Sequence, residues 1–203
     1  MAKLKSTRFI NSSRVLRDIW IHKETSRIQI ARNLGLDKST ISSIISELLR
    51  IGIVNETTVG EAGPQGGRKP VLLTLNRSYG CVVGIEVRPE SYNAVAVDLE
   101  GSVIYSKFEL VRVSAANFRE VVLEVANRVR GELTRTGVPL LGMGVGVAGV
   151  VDPQHGVIRY SIPLQMTESF DFQSSIADDC DLPLFVENDA NACAWGELAF
   201  HRG

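Results

Sequence analysis

Three polar residues, Glu187, Asn188 and Asp189, follow an apolar run and come directly before a predicted helix. Ligands of α/β proteins usually sit where a strand ends and a helix begins. Carboxylate and amide groups at such a place can hydrogen-bond to vicinal hydroxyl groups. The same residues also suit a helix N-cap, where a side-chain oxygen accepts a backbone N–H bond. The pattern alone leaves a binding site and an elaborate helix cap equally open.

A glycine-rich segment, 142–152, is the second place where chemistry concentrates. It carries four glycines, at positions 142, 144, 146 and 149, within an apolar run that predicts one buried strand over 140–152. Glycine lets the backbone approach a ligand or another chain segment closely. Tight packing of a helix would use the same glycines, so their number does not decide between the two roles.

Charge is divided unevenly along the chain. Residues 1–70 contain 12 Lys/Arg and 6 Asp/Glu, whereas residues 71–203 contain 10 and 17, although the whole chain has a net charge of −1. A basic front on an acidic body favours contact between the front and a polyanion such as nucleic acid. Incidental charge in a small domain is the alternative.

Three helical patterns occupy this basic front. The first is predicted to begin at a cap formed by Asn11 or Ser12, the second to span 26–35 and the third to span 37–52. Gly35 ends the second helix, because glycine tolerates a left-handed backbone.

The second and third helices form a helix-turn-helix pattern, in which a short helix, a glycine-containing turn and a second helix follow one another. Short polar side chains at the start of the third helix can reach base edges and phosphates in a major groove. They also suit the first turn of any helix. The candidate DNA-binding residues here are Arg27, Lys38, Ser39, Thr40, Ser42 and Ser43.

Two β-prone runs, 53–57 and 70–75, flank a Gly/Pro-rich loop and predict a hairpin, the wing of a winged helix. Arg68 and Lys69 lie beside glycines in that loop, so the backbone can approach DNA closely. Arginine in a narrow minor groove is one use for such a loop. A solvated linker with incidental charges is the other.

The remaining residues predict an α/β lobe with a mixed sheet. Three strands come first, then a long helix, a buried strand, and a strand that leads into a helix. The predicted elements are strands 81–87, 92–98 and 103–108, helix 115–135, strand 140–152, strand 182–189 and a helix from Ala190.

Other features exclude several classes of protein. The three cysteines, Cys81, Cys180 and Cys193, are scattered, which predicts reduced thiols and no metal site. No run of about 18 apolar residues and no signal-peptide pattern is present, so the sequence predicts a cytoplasmic location without a membrane segment.

Three stretches together resemble one family. The run 186–197 is similar to the sugar-site motif of the ROK family of repressors and sugar kinases, and 144–152 with Gly156 resembles its glycine-rich signature. The stretch 66–70 resembles the join between winged helix and sensor in its xylose-repressor-like branch. The resemblance covers nearly the whole chain.

The resemblance implies a winged helix-turn-helix over 1–76 and, over 77–203, one lobe of an actin-like, ribonuclease-H-like sugar-kinase fold. The family's second lobe, with its zinc site, is expected to lie outside this chain. By resemblance, Gly149, Asn188 and Asp189 contact a sugar. The implied protein is a homodimeric DNA-binding regulator, a repressor of carbohydrate-utilisation genes that responds to a sugar or sugar phosphate.

Kinase activity is not expected, because family kinases have an acidic residue and a Gly-Gly-Thr turn that holds ATP phosphates. The matching segment here, 84–90, contains Pro89, which has no N–H to donate. Asp189 matches the family's catalytic base, and Pro163 stands near the position of a sugar-contacting Asn. The sequence leaves a ligand-independent DNA-binding protein and an ATP-dependent sugar kinase as alternatives.

Overall fold

The computed structural model describes residues 7–59, 71–180 and 182–200. The chain divides into two compact units, Met1–Tyr79 and Gly80–Gly203. This division lies three residues beyond the boundary between 76 and 77 that the sequence predicts.

The described residues of the first unit form three α-helices, a small antiparallel sheet and a short 3-10 helix, Arg77–Tyr79. In chain order its elements are α1 (Thr7–His22), β1 (Thr25–Ser26), α2 (Arg27–Leu34), α3 (Lys38–Arg50), β2 (Val54–Val59) and β3 (Val71–Leu75). The predicted hairpin is confirmed, because β2 pairs with β3 in antiparallel register. The two-residue strand β1, which the sequence did not predict, adds to the other side of β3.

The ends of α2 follow from local chemistry. The Ser26 hydroxyl caps the helix by accepting a bond from the Gln29 N–H at 3.3 Å. Gly35 takes a left-handed φ of 62° and its N–H bonds to the Ala31 carbonyl, which confirms the predicted stop.

The predicted start of α1 at Asn11 or Ser12 is wrong, since the helix already includes Thr7. Asn11 and Ser12 lie inside the helix, so a cap-type residue does not by itself mark a helix start. The Arg8 guanidinium in the first turn bonds to the carboxylate of Glu47 on α3.

Apolar side chains at helical spacing fix which face of α3 is buried. The buried residues of this helix are Ile41, Ile44, Ile45 and Leu48. They join Val15 and Ile19 of α1 and Ile30 of α2 in the buried set of the first unit. Lys38, Ser39, Ser42 and Ser43 consequently remain exposed.

The second unit is built on a five-stranded sheet of order β11-β7-β4-β5-β6. Its elements are β4 (Cys81–Arg88), β5 (Ser91–Asp98), β6 (Val103–Leu110), α4 (Phe118–Thr134), β7 (Leu140–Val147), β8 (Val150–Asp152), β9 (Val157–Tyr160), β10 (Phe170–Asp171), α5 (Phe172–Ala177), β11 (Leu184–Asn188) and α6 (Asp189–Phe200). Strands β4, β5 and β6 form an antiparallel meander, whereas β7 pairs parallel to β4 and β11 parallel to β7. The predicted mixed sheet is confirmed.

One face of this sheet forms the core. Alternate residues of β4 are buried, from Cys81 to Val87, and they belong to one apolar cluster with Phe118, Val122 and Val129 of α4. The intervening positions face the other way: Val82 and Gly84 are exposed.

The single strand predicted over 140–152 is wrong, because the chain breaks at Ala148 and Gly149 into β7 and β8. Side chains from elsewhere bind the carbonyl groups at the break. The Ser161 hydroxyl donates to the Ala148 carbonyl at 2.6 Å, and the Asn188 amide donates to the Gly149 carbonyl at 2.9 Å. Beyond the break, β8 leaves the large sheet and forms a second antiparallel sheet of order β10-β9-β8.

Candidate functional site

A cavity of about 470 Å³ lies on the outward face of β4, β7 and β11 and extends to their carboxyl ends. These strands are mutually parallel, so their carboxyl ends meet at one edge of the sheet. The polar side chains that line the cavity are Glu86, Asn93, Glu187 and Asp189. Gly84, Gly144 and Gly146 form part of its floor, where a Cβ atom would restrict the space.

Asn188 joins the end of β11 to the break after β7. Its Nδ2 donates to the Gly149 carbonyl at 2.9 Å, and its Oδ1 accepts from the Asn191 N–H at 3.0 Å. The second bond is a helix-cap contact, so the cap interpretation of this residue is confirmed. The structure thus brings two predicted sugar-site residues, Asn188 and Gly149, into direct contact.

Asp189 is half-buried at the first turn of α6, and its carboxylate accepts the Ala190 N–H at 2.9 Å. Next to it, the Glu187 carboxylate accepts the Asn188 N–H at 2.8 Å and the Asn191 side-chain amide at 3.2 Å. These bonds orient Glu187 at the cavity wall. Glu187 was absent from the predicted sugar-binding set, although its place beside Asp189 at a strand end was a usable signal.

Gly149 is not one of the described residues that line this cavity. A Cβ atom there would lie 2.5 Å from the Tyr160 carbonyl oxygen and 3.1 Å from the Ser161 Cβ. Because Gly149 has no side chain, the end of β9 and Ser161 can pack directly against it.

The carbonyl groups at the turn between β4 and β5 are already bonded within the unit. Arg88 pairs with Ser91 across a tight hairpin whose corner is Pro89 and Glu90. The carbonyls of those two corner residues accept the N–H groups of Val113 and Val111 at 2.7 and 3.0 Å. On the strand before the turn, the Arg88 guanidinium bonds to the Glu86 carboxylate at 2.6 Å.

Asp152 is the centre of a polar cluster on the β8–β9 hairpin. Its carboxylate accepts bonds from Arg159 at 2.7 Å and from the His155 ring at 3.0 Å. These contacts, first Arg159 and then His155, lower the pKa of Asp152 to about 2.

Asp152→Asn is expected to lower the thermal midpoint at neutral pH, because the folded state favours ionised Asp152 more than the unfolded state does. A depressed pKa stabilises above the unfolded value, and this contribution is lost as pH falls from about 4 to about 2. Melting curves of both proteins across this range test the expectation. A difference that is independent of pH would contradict it.

The first unit presents a polar groove of about 510 Å³ between α1 and α3. Ser39, Thr40 and Ser43 line it from α3, and Thr7, Arg8 and Asn11 line it from α1. Of the predicted DNA-binding residues, Thr40 is half-buried, whereas Lys38 and Ser42 are exposed.

The remaining predicted DNA-binding residues differ in their placement. Arg27 donates to the Glu56 carboxylate of β2 at 2.7 Å, so its charge is already paired within the unit. Arg68 and Lys69 lie outside the described residues.

Within the described part of the chain, no group of three or more His, Cys, Asp or Glu side chains could hold a metal ion. The helices of the same ranges are too short or too polar to cross a membrane.

A sequence model described as the ROK family matches residues 82–203. The chain belongs to the ROK family. Among curated relatives, the xylose repressor of Bacillus subtilis is 29% identical over 192 residues, which cover 94% of this chain and 49% of that protein. The glucokinase of Streptomyces coelicolor is 28% identical over 125 residues, which cover 61% of this chain and 37% of that enzyme. The chain spans about half the length of the xylose repressors it matches.

Solved ROK structures show the same fold. A ROK family transcriptional regulator, a homologue of the E. coli MLC protein, matches with a TM-score of 0.75 at 20% identity, over 94% of this chain and 49% of that chain. A Streptomyces griseus ROK glucokinase in complex with glucose and AMPPNP matches with a TM-score of 0.52 at 26% identity. The match covers 61% of this chain and 38% of that chain. The second unit therefore has the actin-like, sugar-kinase-like fold of this family.

Proposed function

We propose that the protein is a DNA-binding transcriptional regulator, a repressor of carbohydrate-utilisation genes whose DNA affinity responds to a sugar. One observation carries the proposal: a three-helix unit, whose helix α3 exposes a row of short polar side chains, precedes the ROK domain in the chain. The xylose repressors match this chain across 94% of its length, so they support the arrangement as a whole.

The first unit is proposed to be a winged helix, with α3 as the recognition helix. Its buried face is fully apolar, while Lys38, Ser39, Ser42 and Ser43 are exposed along the other face. Such short side chains allow close approach of a helix to base edges in a major groove. The β2–β3 hairpin is the proposed wing, and Arg68 and Lys69 in its loop remain proposed DNA contacts. Binding as a homodimer to a two-fold operator is part of the proposal.

The cavity of the second unit is the proposed sugar site. Carboxylates are acceptors for hydroxyl groups, and Glu187 and Asp189 stand together at its wall. Asn188 and Gly149 are proposed to shape this wall through the bond between them.

We propose that the protein does not act as a kinase. Binding of ATP phosphates requires backbone N–H groups that point at the phosphates. The β4–β5 turn instead has Pro89, which lacks an N–H, followed by the carboxylate of Glu90. ADP formation by the purified protein with ATP and a sugar would contradict this part of the proposal.

Asp189→Asn is expected to remove the response to sugar, because it replaces a carboxylate that can accept hydrogen bonds from sugar hydroxyl groups. DNA affinity should stay within about twofold of the wild type, because Asp189 lies in the second unit and not on α3. DNA titrations with and without a panel of sugars measure both effects. A sugar that binds the native state also raises the melting temperature of the wild type.

Two outcomes would contradict this division of roles. Loss of DNA affinity in folded Asp189→Asn would place the residue in DNA binding. Failure of every sugar to raise the melting temperature of the wild type would favour ligand-independent DNA binding.

A further inference from the structure

An ion pair ties α1 to α3 at the polar groove of the first unit. The Arg8 Nε lies 3.1 Å from the Glu47 Oε2, and the Arg8 Nη2 also donates to that oxygen. Both side chains are largely open to solvent, with 59% of Arg8 and 44% of Glu47 exposed. An exposed pair of this kind contributes about 0–1 kcal/mol to stability in general, so folding gives little reason for it.

The position of the pair indicates another role. Ser39, Ser43 and Glu47 are spaced four residues apart along α3 and therefore form one row on its surface. Arg8 reaches the last member of this row from α1, and it lines the same groove as Ser39 and Ser43. A helix that enters a major groove brings its neighbours close to the phosphates of the groove edge.

The Arg8 guanidinium and the Glu47 carboxylate interact with a DNA phosphate in opposite ways. The planar guanidinium of arginine binds phosphate oxygens with two parallel N–H bonds, which is its strongest mode of recognition. A carboxylate at the same place repels phosphate. Glu47 accepts the Arg8 N–H bonds in the free protein and would compete for them with a phosphate.

Resting on the DNA-binding function proposed above, we propose that Arg8 contacts a DNA phosphate at the edge of the groove that α3 enters, and that Glu47 is its exchange partner in the free protein. The DNA phosphate replaces the Glu47 carboxylate as the acceptor of the Arg8 N–H bonds. No residue of α1 was among the DNA contacts predicted from the sequence, because the contact depends on how α1 packs beside α3.

The test compares three variants of the full chain by fluorescence anisotropy, using duplex DNA from upstream of the protein's own gene over a range of salt concentrations. Arg8→Ala is expected to weaken binding about tenfold and to reduce the slope of log K against log salt by about 0.9. Glu47→Gln is expected to tighten binding about two- to fivefold, since a repulsive and competing carboxylate is removed.

Arg17→Ala is the matched control. It removes one positive charge from an exposed position of the same helix, nine residues and half a turn away from the Arg8 face. We expect it to change affinity less than twofold and to leave the salt slope unchanged. Melting curves verify that each variant is folded.

The outcomes separate this inference from the function on which it rests. Equal, weak binding of the wild type to specific and scrambled duplexes would reject the proposed function itself. Specific binding that Arg8→Ala weakens no more than Arg17→Ala does would overturn only the Arg8 contact. If Arg8→Ala is unfolded, the DNA affinity of Glu47→Gln tests the Arg8 contact by itself. Unchanged or weaker DNA binding by Glu47→Gln would mean that the ion pair is structural.

Discussion

Ser43→Glu is expected to lower specific DNA affinity by roughly a hundredfold, because in the proposed complex it would place a carboxylate against the phosphates and base edges of the major groove. Ser43 is exposed on α3 and lines the groove shared with α1, so a longer side chain fits without disturbing the core. The unit should therefore remain folded. Anisotropy titrations with specific and scrambled duplexes measure the loss.

Ser13→Glu is the control for this result. Ser13 is exposed on α1 and lies on the side of that helix opposite to Thr7, Arg8 and Asn11. The same change of charge there should alter affinity by no more than about threefold, through long-range repulsion alone. Equal losses in the two variants would mean that α3 has no special place in the complex.

Gly149→Ala is expected to destabilise the second unit by about 1–3 kcal/mol, the usual cost of an extra methyl group in a tightly packed place. The added Cβ would lie 2.5 Å from the Tyr160 carbonyl oxygen, a backbone atom that cannot rotate away. Movement of Gly149 also disturbs the carbonyl that accepts the Asn188 amide. The response to sugar should weaken along with stability.

Gly144→Ala provides the matched comparison, since a Cβ at Gly144 would meet no atom within 4 Å. Its free energy of unfolding should stay within about 0.5 kcal/mol of the wild type. Urea unfolding of both variants, followed by a signal from the second unit, tests the pair. A Gly149→Ala protein as stable as Gly144→Ala would show that the chain relaxes freely at this break.

Regular, local features of the fold were predictable from the sequence. The start of α2 near Ser26, its left-handed stop at Gly35 and the apolar strand β4 each depend on a residue and its near neighbours. The mixed sheet was also predictable, because a strand meander followed by a helix and further strands leaves few arrangements.

Features that depend on distant partners were not predictable. The break at Ala148 and Gly149 is fixed by Ser161 and Asn188, which lie 13 and 39 residues further along the chain. Nothing in an apolar, glycine-rich run marks that point.

The candidate sites follow the same division. Asp189 was predictable as a cavity residue because strand ends collect ligands, and it lines the cavity. Arg27 remains a predicted DNA contact, and the fold adds a partner that the sequence did not show, the Glu56 carboxylate. A charge in a sequence says little about the partner that folding will bring to it.

A sugar changes DNA affinity only if it binds one conformation of the protein more tightly than another. The coupling is reciprocal, so specific DNA must weaken sugar binding by the same factor by which sugar weakens DNA binding. Couplings of 5- to 150-fold are typical and lie well within the range of a titration.

The most direct test of sugar-controlled DNA binding is an anisotropy titration of the wild-type protein against duplex DNA from upstream of its own gene. A scrambled duplex is the control, and each titration is repeated with a panel of sugars. We expect tighter binding to the upstream duplex and at least a fivefold loss of that affinity with one sugar. Equal affinities for the two duplexes, unchanged by every sugar, would contradict the account.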